Sequence, residues 1–299
     1  MGPVPDHSAA VRDVEIILLG TGTSAGVPVI GCECEVCTSG DPRDRRLRCS
    51  ACLRFTDAGG VRRVILIDTS PDLREQALRA KLKRCDGILY THNHVDHTFG
   101  LDEVRRFNVL MDASIDVWAD EHTMQSLQRI YRHIFKRDRN VNDSFVATLI
   151  PRLIEPPKPV DLFGLRFTPV RLLHGRLPVL GFRIEALDGG GAVAPAQPAP
   201  LPVAYCTDVS AIPPETWAKL TGLRTLILDM LRPRRHPTHF SVDEAVAAAG
   251  EIGATRTWFI HMTHNIRHAE LDPQLPDGMN LGYDGLLIDA AAVGAASEV

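Results

Sequence analysis

The sequence predicts an α/β fold in a single domain, and three observations lead there. Short β-branched apolar runs alternate with amphipathic helical stretches. Several of those runs stop at a histidine or an aspartate, and layered α/β folds place their sites outside strand ends. The composition, 44% hydrophobic and 23% charged over 299 residues, is that of a globular chain with a sizeable core. No internal repeat is evident and no stretch reads as an interdomain linker. The expected domain is residues 14–290, between tails at 1–13 and 291–299.

Taken in order, "VEIILLG" (14–20) reads as a buried strand ended by glycine, and a long cysteine-bearing loop follows. "VRRVILID" (61–68) is a second strand. In "SPDLREQALRAKLK", Ser70 is the expected N-cap and Pro71 the first helical residue, with Leu73, Ala77, Leu78 and Leu82 on one face. "DGILYTH" (86–92) is a strand that runs into a histidine cluster. Residues 114–119 form a strand and 120–135 a helix. Strands at 163–174 and 179–187 precede the Gly/Ala/Pro-rich stretch 188–201, expected to be a flexible insertion before the next strand. Strands at 203–208 and 223–230 precede a helix at 241–253. That helix carries a capping box, Ser241 and Glu244, and a glycine stop. A last strand, 255–264, again ends in histidines.

Composition also excludes function classes. A net charge of −4 argues against a bulk nucleic-acid binder. The N-terminal residues contain no apolar leader, and the longest apolar runs are strand-sized, so no membrane span and a cytoplasmic setting are expected. Seven cysteines are present, five of them within residues 32–52, a crowding that suits metal binding better than a disulfide framework.

"THNHVDH" sets His92, His94, Asp96 and His97 within six residues directly after a strand, so several donors converge on one point. Imidazoles suit transition metals, and a carboxylate adds charge and can bridge. A binuclear site needs about three more ligands. His174, Asp208 and His261 each stand at the end of a predicted strand. Cys32, Cys34 and Cys37 in "GCECEVC" need a fourth partner, and two are available: Cys49 or Cys52 from "CSAC" nearby, or His264 far along the chain.

The pattern THxHxDH, an isolated later histidine, an aspartate in "CTD" and a C-terminal histidine resembles the metallo-β-lactamase superfamily. "LLGTGTSAGVPVIGCECEVC", "DPRDRRLRCS", "HPTHFSVDEA", "HMTHN" and "GYDGLLI" resemble, more closely, the phosphoribosyl cyclic-phosphate phosphodiesterase (PhnP) family over roughly residues 14–290. The resemblance implies an αββα sandwich with two facing mixed sheets and outer helices. It implies one catalytic metal on His92, His94 and His174, a second on Asp96, His97 and His261, and Asp208 between them. It favours a structural zinc on Cys32, Cys34, Cys37 and His264, a closed tetrahedron with no open position. The two catalytic metals are expected to be zinc or manganese.

The implied function is hydrolysis of a small cyclic phosphodiester, such as phosphoribosyl 1,2-cyclic phosphate, by a hydroxide shared between the metals. His239 in "HPTHFS" is the candidate general acid, with His236 as its rival, because histidines as a class titrate near neutral pH. Asp68 is expected to support a ligating histidine through its other ring nitrogen. Asp284 reads equally as such a support or as a turn residue. The arginines of 41–48 and 232–235 are solvated faces unless one turns inward to a second phosphate. The alternatives are hydrolysis of a lactone or thioester, or an accessory role in cofactor biosynthesis. The expected partner is a small phosphorylated molecule, with neither nucleic acid nor membrane, and homodimers are common among related enzymes.

Overall fold

A computed structural model describes residues 9–136 and 145–294. Of the expected tails, residues 1–8 and 295–299 lie outside the described residues. The first half of the chain lays down β1 (Arg12–Gly20), β2 (Ser50–Thr56), β3 (Arg62–Ile67), α1 (Leu73–Arg79), β4 (Gly87–Leu89), α2 (Val95–Thr98), α3 (Arg105–Met111), β5 (Ile115–Ala119), α4 (Glu121–Ile130), α5 (Arg132–Phe135) and β6 (Leu149–Leu153). The second half adds β7 (Val160–Leu162), β8 (Leu165–His174), β9 (Leu177–Ala186), β10 (Val203–Cys206), α6 (Pro214–Trp217), β11 (Thr225–Asp229), α7 (Val242–Ile252), β12 (Arg256–Ile260), α8 (His268–Leu271) and β13 (Met279–Leu281). The short β14 (Leu287–Ile288) and α9 (Ala290–Gly294) then return to the first half.

The strands form two seven-stranded sheets, ordered β14-β1-β2-β3-β4-β5-β6 and β13-β12-β11-β10-β9-β8-β7. In each sheet three antiparallel pairings are followed by three parallel ones. The two halves therefore share a topology that their sequences do not display as a repeat. Ile16 and Leu18 of β1 pack between the sheets with Phe167 and Phe182, whereas Ile17 and Leu19 pack outward with Leu73, Met124 and Leu127. Burial on both faces explains why β1 reads as a continuous apolar run rather than an alternating one. On the far side, Leu226 and Leu228 of β11 meet Ala245, Ala249 and Ile252 of α7. The layers are therefore helix, sheet, sheet, helix: the αββα sandwich.

Local differences from the sequence expectations have physical causes. Strand β2 was not expected, because "CSACLRFT" mixes thiols with an arginine; its pairing to β1 and β3 overrides that pattern. The first helix starts after Asp72, not Ser70, whose Oγ instead accepts the Asp72 N–H at 3.2 Å. The helix expected over 120–135 breaks at Tyr131, whose hydroxyl donates to the Thr98 carbonyl at 2.9 Å. The capping box on Ser241 and Glu244 and the left-handed stop at Gly253 are present as read. The stretch 188–201 is anchored rather than loose: Ala194 and Leu201 are buried, and the Gln197 amide bonds the Ala186 N–H and carbonyl. Residues 9–11 of the N-terminal stretch are likewise packed: Ala9 bridges to Asp188 and Val11 joins the inner core.

Candidate metal centre

The ends of β4, β8, β10 and β12 converge at one edge of the sandwich. His174 is the last paired residue of β8, His261 directly follows β12, and Asp208 and the His92 cluster follow β10 and β4 by two to three residues. Asp68, Asp208 and His261 sit in the left-handed region, with φ of 62°, 57° and 67°. Non-glycine residues adopt it at a cost and tend to do so at functional sites.

Asp208 is the pivot. Its Oδ1 lies 3.2 Å from His97 Nε2 and 3.4 Å from His261 Nε2, while its Oδ2 lies 3.7 Å from His92 Nε2 and 3.9 Å from His174 Nε2. Asp96 Oδ2 joins the first set, 3.4 Å from His97 Nε2 and 3.7 Å from His261 Nε2. The His94 ring joins the second, 4.5 Å from His92 and 5.0 Å from His174 between centroids. The seven residues expected from the sequence therefore gather into two sets that share one carboxylate.

The buried Nε2 atoms of His92, His97 and His261 have no hydrogen-bond partner among the described residues. Leaving such groups unpaired is costly. Ligands about 2.0–2.2 Å from a common zinc sit roughly 3.3–3.6 Å apart, close to the N···O spacings here. The donor set of imidazoles and carboxylates fits two divalent transition ions.

Hydrogen bonds behind the cluster set the tautomers. His97 Nδ1 lies 2.8 Å from Asp68 Oδ2, and Thr91 Oγ1 donates to that same oxygen at 2.8 Å. With its proton so used, Thr91 Oγ1 accepts from His92 Nδ1 at 3.0 Å. One buried carboxylate thus turns the Nε2 lone pairs of two histidines inward, His97 directly and His92 through a hydroxyl. His174 Nδ1 donates to the Thr238 carbonyl at 2.7 Å, with the same result.

Electrostatics follow the geometry. Burial opposes ionisation of Asp208, but His261, His97 and His92 outweigh it and hold its carboxyl well below the usual carboxylate range. Burial would lower His97, yet Asp208, Asp68 and Asp96 lift it well above the ordinary histidine value. His92 and His174 are pushed down, chiefly by burial, and so stay neutral donors.

His239, itself buried, lies beside the cluster. Its Nε2 is 4.0 Å from Asp208 Oδ2, and its Nδ1 is 3.2 Å from Asp229 Oδ1. Asp229 also accepts the Phe240 N–H at 3.1 Å. His236 contacts Thr238 instead. Asp229 and Thr91 were missed from the sequence. Asp229 carries the same strand-end signal as Asp208, whereas Thr91 lies inside the quoted motif but has no ligand chemistry of its own. Asp284 is not near the cluster: it accepts from the Thr21 N–H and hydroxyl and from the Leu47 N–H, so it ties loop starts together. Of the arginines in 41–48, Arg46 is buried and donates to the Thr263 and Ile266 carbonyls, while Arg43 and Arg48 pair with Asp41 and Asp72.

A second cluster lies beyond the strand that ends at His261. His264 Nδ1 is 3.3, 3.6 and 3.4 Å from the sulfurs of Cys32, Cys34 and Cys37. Around a tetrahedral zinc a sulfur and a nitrogen ligand sit roughly 3.5 Å apart. Burial pushes the Cys37 thiol up to about 11, whereas the Cys37 N–H lowers Cys34. The local rivals fall away on geometry. Cys49 packs in the core between the sheets and Cys52 in the core beneath the outer helices, whereas Cys32 and Cys37 pack in a separate cluster with Val27, Val29 and Val36, so neither is placed to be the fourth ligand.

The beta-lactamase superfamily domain model matches residues 63–262. A crystal structure of a diphosphatase from the PhnP family is 37% identical, with a TM-score of 0.80 over 93% of this chain and 97% of that one. An octanoyltransferase of Porphyromonas gingivalis is 36% identical over 90% of this chain, which spans only half of that protein's length (50%). The zinc-bound PqqB of Methylobacterium extorquens has a TM-score of 0.71 over 92% of this chain and 99% of its own, at 18% identity, a likeness of fold alone.

Proposed function

The chain belongs to the beta-lactamase superfamily and, within it, to the PhnP family; from that premise we propose that it is a binuclear metal-dependent phosphodiesterase acting on a small phosphodiester, cyclic ones included. The observation that carries this reading is Asp208, whose two oxygens each face a separate set of inward-turned donors, with His239 held beside them. The cluster would hold two divalent ions, zinc or manganese, with His92, His94, His174 and Asp208 on one and Asp96, His97, His261 and Asp208 on the other. Such ions supply Lewis-acid stabilisation of phosphoryl charge and acidify water toward a pKa of about 7.

The remaining work falls to the chain's own residues. Asp68 and Thr91 keep the histidine tautomers fixed, so the donors need no reorganisation during turnover. Asp229 holds the His239 ring with its Nε2 toward the cluster, where it protonates the departing alkoxide. Cys32, Cys34, Cys37 and His264 would hold a structural zinc that ties the long N-terminal loop to the segment carrying His261.

The test uses metal-loaded protein offered a cyclic ribose phosphate, a linear aryl phosphodiester, a lactone and a thioester. Turnover of the phosphodiesters is expected. Hydrolysis confined to the lactone or thioester would overturn the proposal.

A further inference from the structure

Beside the metal cluster the two sheets part and leave a cleft of about 640 Å³. One wall is Leu153, Ile154 and Pro156 at the end of β6; the facing wall is Pro178, Val179 and Leu180 at the start of β9. The cleft meets the cluster at two points. The Leu180 N–H donates to the Thr91 carbonyl at 2.9 Å, one residue before His92. His122 Nε2 lies 3.3 Å from Asn93 Nδ2, and Asn93 stands between His92 and His94.

We propose that this cleft is a nucleoside subsite, taking a neutral, planar, nucleobase-sized group attached to the phosphodiester. The inference deepens the phosphodiesterase reading and rests on it for the link between that group and the reacting phosphorus. Size is the first argument. Ligand pockets run from roughly 300 to 1,000 Å³, and a ribose phosphate alone would leave most of this one to water. Shape is the second: the apolar side chains and the two proline rings offer opposed surfaces against which a flat ring buries both faces.

Charge is the third argument. Arg171 pairs in register with Leu180 and shares the face of β8 that carries Phe167 toward the space between the sheets. Its exposed guanidinium makes no ion pair or hydrogen bond among the described residues. A guanidinium stacks on aromatic faces and donates to ring carbonyls or nitrogens. Three carboxylates, Asp120, Glu121 and Glu155, also border the cleft. Glu155 is paired with Lys158 at 2.7 Å, which leaves Asp120 and Glu121 against the one guanidinium; they oppose a second phosphate there, so the occupant is an uncharged base rather than another anion. Neither of the arginine runs noted in the sequence borders the cleft.

The test is isothermal titration of AMP and of ribose 5-phosphate into the metal-loaded protein, its Leu153→Trp variant and its Arg171→Ala variant. Leu153 is half exposed, so the larger ring fills the cleft without entering the core. The parent should bind AMP at least tenfold more tightly than ribose 5-phosphate. Leu153→Trp should erase that preference and Arg171→Ala reduce it several-fold. Equal affinities in the parent, or a preference that survives both substitutions, overturns the subsite. An AMP preference that follows this pattern without turnover of any phosphodiester upholds the cleft and retires the phosphodiesterase reading alone.

Discussion

The two donor clusters are neighbours in sequence at their C-terminal members, His261 and His264, yet they are built in opposite ways. The His/Asp cluster is buried at strand ends, with its ring nitrogens locked by Asp68, Thr91 and the Thr238 carbonyl. The cysteine cluster is a loop brought against one histidine from 227 to 232 residues away, and Cys34 within it is exposed. In the first, His239 stands beside the donors; the second consists of three sulfurs around one ring nitrogen. The difference separates chemistry from architecture: damage to one should show in rate, damage to the other in integrity.

That contrast can be broken or sharpened by substitution. The largest effect is expected for Asp208→Ala, which removes the carboxylate shared by both sets. Two ions should be lost while the clip keeps its zinc, and turnover should fall on the order of 10³-fold or more. Elemental analysis beside a rate measurement decides it, and retention of both ions would end the bridging assignment. His239→Ala should keep every ion and lose about 10²-fold in kcat, as removal of a general acid does; an unchanged rate removes that role. Asp68→Asn should weaken binding of the catalytic ions by about 10–100-fold, read by competition with a chelator. The smallest effect on rate is expected for His264→Ala. It should lose one zinc and lower the thermal midpoint while kcat changes less than about tenfold, and the Cys49→Ala, Cys52→Ala pair should keep that zinc. If the cysteine pair loses it instead, the clip has been misassigned.

Legibility from sequence tracked how locally each feature is encoded. His92, His94, Asp96 and His97 stand in six residues after one strand, so spacing alone converges them. His174, Asp208 and His261 could be found only because each ends an apolar run, and Asp229, which ends another, shows that this signal does not rank its hits. Thr91 acts through a proton it gives to Asp68, something visible only with distances. The helix break at Tyr131 depends on the Thr98 carbonyl, a contact 33 residues away in sequence. The cleft depends on which residues of β6 and β9 face one another across two sheets, and no local pattern carries that information.

The left-handed backbone at Asp68, Asp208 and His261 reaches beyond catalysis. Strained residues of this kind cost of order 1–3 kcal/mol each and persist only where the surroundings over-determine them. Ions bound to the native cluster and not to the unfolded chain would supply part of that determination and add stability as their free concentration rises. Metal supply would then govern how much of this chain is folded as well as how fast it works.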